Sequence, residues 1–166
     1  KILLGVAVIW DERKGLKDFV KLSEKLPDEY QIVLVGLSGK QIKKLPNNIT
    51  GIMRTESQGE LAALYSRADI FINPSLEESF SLVTVEAFAC GTFVIVLDTS
   101  AVKELVNEQN GIVLKSHETE DYLQAIKLLE EKAPESDMSG RRENAAIITK
   151  SMKFQLCPGW LSKKSD

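Results

Sequence analysis

The stretch "DIFINPSLEESFSLVTVEAFACGTFVIVL" (69–97) decides the fold. It opens on an apolar run of strand length, "DIFINP" (69–74), and passes through a polar loop. A helical stretch follows over about 81–90, stopped by Gly91, and then a second strand-like run, "TFVIVL" (92–97). Two β-rich apolar runs joined by one helix describe parallel neighbours in a sheet covered by helices.

The same alternation extends in both directions. Upstream, "ILLGVAVI" (2–9) reads as a buried strand. "GLKDFVKLSEKL" (15–26) gathers Leu16, Phe19, Val20 and Leu26 near one helical face before Pro27. "QIVLVG" (31–36) and "ITGIM" (49–53) read as strands, with a short polar helix near 38–44 between them. Ser57 and Glu60 form a capping box for "ELAALYSRA". Downstream come a helix over about 100–107, the strand "GIVL" (111–114), the helix "TEDYLQAIKLLEEK" (119–132) and another helix near 137–153. Six apolar strands separated by helices predict an α/β fold, a doubly wound, Rossmann-like parallel sheet with helices on both faces. The expected organisation is one domain over 1–153 and a divergent tail over 154–166. Ligands of such sheets bind beyond the C-terminal ends of the strands, where loops feed helix N-termini.

Composition removes several classes of function. A chain of 166 residues, 43% hydrophobic and 27% charged, supplies a core without staples. Net charge is −3, with no basic stripe for nucleic acid. No run reaches the roughly 18–20 apolar residues of a membrane span, and "KILLGVAVIW" lacks a signal-peptide cleavage pattern; the chain reads as cytoplasmic. Cys90, ending an apolar helix, reads as a structural thiol. The first strand-to-helix turn lacks the three glycines of a dinucleotide fingerprint. "VGLSGKQ" (35–41) has only two residues between its glycines and Gln41 where a phosphate loop needs a hydroxyl, so it reads as a turn. His117, the single histidine, reads as a solvated loop or cap position. No Asp-x-Asp pair is present to hold a divalent cation, and no metal is expected.

Two places carry chemistry. In "DERKG" (11–15), Arg13 and Lys14 precede a helix start. Cations there oppose the helix dipole unless an anion joins them. A solvated cluster offset by Asp11 and Glu12 is the open alternative. The second place is "EESFSLVTVEA" (77–87), where Glu78 and Glu86 are separated by seven residues. Ser79 or Ser81 can cap the helix, and its first amides, near Leu82 and Val83, can meet an anion. Helical side chains lean toward the N-terminus, so Glu86 aims at whatever those amides hold while Glu78 approaches from the loop. Phosphate on the amides and sugar hydroxyls on the carboxylates would suit a nucleotide sugar. Spacing alone leaves open a plainer reading, two surface glutamates on an amphipathic helix.

The longer string "NPSLEESFSLVTVEAFACGTFVIV" (73–96) resembles the donor-site segment of retaining glycosyltransferases of family 4. Their mark is Glu-x7-Glu within Pro-Ser…Glu-Gly-Phe-Gly-Leu-Val…Glu-Ala-Met-Ala-Cys-Gly-x-Pro-Val. Glu78 and Glu86 take the acidic places, and Phe80, Leu82, Val83, Ala87, Ala89, Cys90 and Gly91 fall in register. "ELAALYSRADIFINPS", "RKG" and "AVKELV…NG" resemble neighbouring parts of that family, so the likeness covers about 1–132.

The resemblance implies the C-terminal, donor-binding domain of a two-Rossmann-domain enzyme, with the N-terminal acceptor domain absent from this chain. It implies a UDP- or GDP-linked hexose as donor, no cofactor, and a glycan or lipid-linked acceptor in polysaccharide synthesis. The full-length enzyme is expected in the cytoplasm or peripheral on the cytoplasmic face of the membrane, and this piece alone inactive. By the same analogy Glu86 holds the ribose and Glu78 positions the sugar. The segment Ser79, Phe80, Ser81, Leu82 and Val83 contacts the donor, and Lys14 with Arg13 stabilises the leaving diphosphate. An epimerase or phosphorylase of the same architecture, or a non-catalytic nucleotide-binding module, is the alternative. Departures are Ile9 in place of an arginine, Ser79 and Ser81 in place of glycines, and Ser100-Ala101 in place of a Gly-Gly turn. The tail "FQLCPGWLSKKSD" (154–166) lacks the family's C-terminal helix pattern.

Overall fold

The computed structural model describes residues 1–77, 81–99 and 101–132. Among these, six strands form one sheet: β1 (Ile2–Val6), β2 (Gln31–Val35), β3 (Ile49–Ile52), β4 (Ile70–Asn73), β5 (Phe93–Leu97) and β6 (Gly111–Leu114). All neighbours are parallel, in the order β3-β2-β1-β4-β5-β6. The helices are α1 (Leu16–Lys25), α2 (Gly39–Ile42), α3 (Gln58–Arg67), α4 (Leu82–Ala89) and α5 (Thr119–Lys132). This is the expected doubly wound, Rossmann-like α/β sheet.

Strand periodicity explains why the apolar runs are continuous. Successive side chains point to opposite faces, and both faces are covered. Leu3, Ile32, Leu34, Ile70, Ile72 and Ile95 join a core with Phe19 and Leu22 of α1 and with Ile126 and Leu129 of α5. Leu4, Val33, Val35, Phe71, Val94 and Val96 join a second core with Tyr65 of α3 and with Ala87 and Phe88 of α4. Each fully buried Leu, Ile or Phe contributes roughly 1.5–3 kcal/mol of transfer free energy. The sheet is thus the central layer of three.

The strand order carries a consequence for function. β1 lies beside β4, yet α1, after β1, packs on one face and α4, after β4, on the other. The loops leaving these two strands therefore part, and a crevice opens between them.

The structure corrects several boundaries. The expected strand 2–9 ends at Val6, and Val8 and Ile9 are 90% and 70% exposed. The chain bends because the Trp10 indole donates to the Val35 carbonyl at 2.8 Å and stacks edge-on to Phe19, which pulls the loop across β2. The helix expected over 100–107 is a 3-10 segment, Ala101–Leu105. The capping box at α3 is half formed: the Ser57 hydroxyl accepts from Glu60 N at 3.1 Å, but the Glu60 carboxylate accepts from Glu56 N. A complete box stands instead at α2, between Ser38 and Gln41, where a short polar helix over about 38–44 was expected. Helix α4 ends just before Gly91, whose φ is 74°, as expected. The helix near 137–153 and the tail over 154–166 lie outside the described residues.

Gly36 is the tightest point of the β1–β2 edge. Its φ is +99°, and a Cβ there would sit 1.6 Å from the Ala7 carbonyl oxygen. Gly36→Ala should therefore lower unfolding free energy by at least about 2 kcal/mol, read as a fall in the urea midpoint. Gly39→Ala, with nothing within 4 Å of the added carbon, should leave the midpoint unchanged or raise it slightly.

Candidate functional site

At the crevice between β1 and β4 lies a cleft of about 340 Å³. Its walls include Arg13 and Lys14 from the first loop, Asn73 and Pro74 from the end of β4, and Leu82 and Val83 from the first turn of α4. Two of the regions singled out in the sequence thus converge on one space.

The basic loop is built around Asp11. Its Oδ1 accepts from the amides of Arg13 and Lys14 at 2.9 and 3.2 Å and caps a 3-10 turn over Glu12–Lys14. Its Oδ2 accepts from Arg13 Nε and Nη2 at 3.1 and 2.8 Å. Hydrogen bonding from Arg13 holds the Asp11 carboxyl below its ordinary range. Arg13 also reaches Glu77, with Nη1 3.6 Å from Oε2. Glu12 pairs with Lys17 and takes no part in this. Of the offsetting acids weighed as the alternative reading of this stretch, Asp11 pairs with Arg13 and orients its guanidinium.

Lys14 turns the other way. Its Nζ donates to the Ser75 hydroxyl at 3.3 Å, across to the loop after β4. Backbone ties reinforce this bridge, since Leu76 N donates to the Arg13 carbonyl at 2.8 Å. Gly15, with φ +74°, closes the contact: a Cβ there would lie 2.6 Å from Pro74 Cγ. Only glycine allows the loops this approach.

Helix α4 is anchored by hydroxyls. Of the two serines expected as caps, Ser79 lies outside the described residues and Ser81 occupies the N-cap position without a side-chain cap bond. Its hydroxyl instead joins Asn73 and Thr84. Asn73 Nδ2 donates to Ser81 Oγ and to Thr84 Oγ1, both at 3.0 Å, and Thr84 Oγ1 donates to Ser81 Oγ at 2.9 Å. Ser81 is 2% and Thr84 0% exposed. The end of β4 thereby fixes the start of α4, whose first amides lack intrahelical acceptors by helical geometry. The serine standing in a glycine's place spends its hydroxyl on this anchor.

Glu86 lies one turn beyond Val83, exposed and outside the cleft wall, with its Oε2 accepting from the Tyr65 hydroxyl at 3.3 Å. Glu78, Ser79 and Phe80 lie outside the described residues. Asn73, Ser75, Thr84, Trp10 and Tyr65 were not singled out in the sequence. Asn73 leaves a faint signal, a polar residue closing an apolar strand before proline. His117 is in its loop as expected, but its Nδ1 lies 3.4 Å from Asp18 Oδ2. Burial raises the Asp18 carboxyl, an effect that His117 opposes.

Residues 1–132 match the family described as glycosyl transferases group 1. Over 120 residues, 64% of this chain, it is 31% identical to the D-inositol 3-phosphate glycosyltransferase of Mycobacteroides abscessus. Its fold is similar to that of sucrose-phosphate synthase from Thermosynechococcus elongatus, with TM-score 0.74, 25% identity and 93% of this chain covered. Anabaena Alr3699/HepE, solved with UDP and glucose, has a similar fold, with TM-score 0.73, 21% identity and 89% coverage. The matched regions span 27%, 45% and 43% of those proteins, so this chain covers less than half the length of each.

Removing the Asn73 amide takes one donor from each of two buried hydroxyls and leaves them only their bond to each other. Asn73→Ala should cost about 1–3 kcal/mol in denaturant unfolding. Asn73→Ala combined with Thr84→Val should cost less than the sum of the single changes, since the partners are removed together.

Proposed function

The chain belongs to the glycosyl transferases group 1 family, and on that premise we propose that it is the donor-binding half of a retaining, family 4 hexosyltransferase. The donor is a nucleoside-diphosphate hexose, UDP- or GDP-linked. The acceptor is a glycan or lipid-linked acceptor in polysaccharide synthesis, held by a preceding domain, and the full-length enzyme works in the cytoplasm or on the cytoplasmic membrane face. Among the described residues no helix is long and apolar enough to cross a membrane.

The observation carrying this reading is the convergence of Lys14, Arg13 and the first turn of α4 on one cleft. A diphosphate there would meet two cations and the amides near Leu82 and Val83. The ribose would lie along α4 toward Glu86, and Glu78 with the adjoining Ser79 and Phe80 would meet the sugar. The UDP and glucose of the Anabaena neighbour, a protein of similar fold, agree with a donor of this class.

Negative charge grows on the diphosphate as the glycosidic bond breaks. Lys14 is tied to Ser75 and Arg13 to Asp11, so both cations are oriented before the reaction, which is where electrostatic catalysis gains most. In the full-length enzyme, Lys14→Ala should lower kcat by about 10²–10³-fold, the effect of losing one such donor. Initial rates of donor consumption measure it. Epimerised donor without transfer would point to an isomerase instead.

Isothermal calorimetry on this 166-residue chain tests the site itself. Weak binding is expected with UDP or GDP, its affinity reduced about tenfold by Glu86→Gln and unaffected by Glu78→Gln. Loss for Glu78→Gln is expected only with the nucleotide sugar. Absence of heat from both diphosphates at millimolar concentration would overturn the assignment.

A further inference from the structure

We infer that Tyr65 is a positioning residue for Glu86: its buried hydroxyl holds one carboxylate oxygen and so sets the preference of the nucleotide site for ribose over deoxyribose. This rests on the ribose-binding role proposed for Glu86 and adds a residue from a different helix, α3.

The two partners are unequal. Tyr65 is 1% exposed, and its ring packs edge-on to Phe71 with centroids 5.5 Å apart. Its carbonyl accepts from Thr92 Oγ1 at 2.6 Å, which pins α3 to the turn before β5. Glu86 is exposed on α4, and a long flexible side chain there loses rotamer freedom when it engages a ligand. The Tyr65 hydroxyl donates to Glu86 Oε2 at 3.3 Å. A buried, packed donor is thus coupled to an exposed acceptor.

The chemistry of the pair fits that division. Burial, and then the negative charge of Glu86, push the Tyr65 phenol well above the ordinary tyrosine range, so it stays a neutral donor. A carboxylate offers about four lone-pair sites, and a bond from Tyr65 is compatible with accepting from both hydroxyls of a ribose. At 3.3 Å the contact is longer than the roughly 2.5–3.0 Å of ordinary O–H···O bonds, and such contacts tighten when a ligand draws the groups together. Holding the carboxylate in advance lessens the ordering that binding must otherwise impose.

Tyr65→Phe keeps the ring and deletes only the donor. Titration calorimetry with UDP, GDP and their 2′,3′-dideoxy counterparts reads the outcome. The variant should bind the ribonucleotides about three- to tenfold more weakly than the unsubstituted chain and the dideoxy forms equally well. In a Glu86→Ala background the same change should alter neither. Equal weakening toward both sugar types, which partial unfolding or a purely structural tyrosine would produce, overturns the inference, as does unchanged ribonucleotide affinity. Undiminished ribonucleotide binding by Glu86→Ala overturns the underlying reading and this inference with it. Dependence on Glu86 without dependence on Tyr65 overturns only the inference.

Discussion

The parallel pairing of β1 with β4 is the constraint on which the site depends. It registers two pairs, Leu3↔Ile70 and Leu4↔Phe71, whereas β1 and β2 share five registered positions. Beyond those pairs the strands send their loops to opposite faces, and the backbone polar groups must find partners across the gap. Leu76 N on the Arg13 carbonyl supplies one such bond. The Lys14–Ser75 contact adds a side-chain tie across the same gap. The crevice is therefore held open by topology and held to width by the loops that line it.

Within that frame, the charges divide the work. Asp11 occupies the Nε–Nη2 edge of Arg13. A guanidinium has five donors in a fixed plane, so an arginine can keep this carboxylate and still present its remaining N–H groups to a phosphate. Glu77, near Nη1, is the acidic neighbour that an incoming anion would oppose. Arg13 is 65% exposed in its side chain, and a pair that open to solvent contributes little stability. Its value lies in orientation. Lys14, half-buried and tied to the far loop, couples the same charge to the spacing of the crevice walls.

The fold was legible because a strand buried on both faces leaves a run of apolar residues that no solvated element imitates. Register within the run was less legible. "ILLGVAVI" carries no mark at Val6, and the break is dictated by Trp10 reaching Val35, a contact 25 residues away in sequence. At α3, the Glu60 carboxylate accepts from Glu56 N rather than Ser57 N, a choice invisible to spacing. Of the site, the charged loop and the helix start could be read from residue type. Asn73 could not, because its meaning comes from hydroxyls 8 and 11 positions on, which meet it only after α4 has formed. Tyr65 was hidden for the same reason: a buried aromatic in a helix reads as core, and it is core at every atom but one.

That last atom shows how the second core serves the first turn of α4. The packing of Tyr65 on Phe71, of Ala87 and Phe88 on the sheet, and the Thr92–Tyr65 bond fix α3, α4 and the start of β5 as one block. Asn73 then locks the N-terminal end of that block to β4 through Ser81 and Thr84. A close-packed interior cannot yield at one point without moving its neighbours. The helix start facing the cleft and the exposed carboxylate one turn along are consequently placed by the same buried contacts, so a change in the core beneath α4 would move both together.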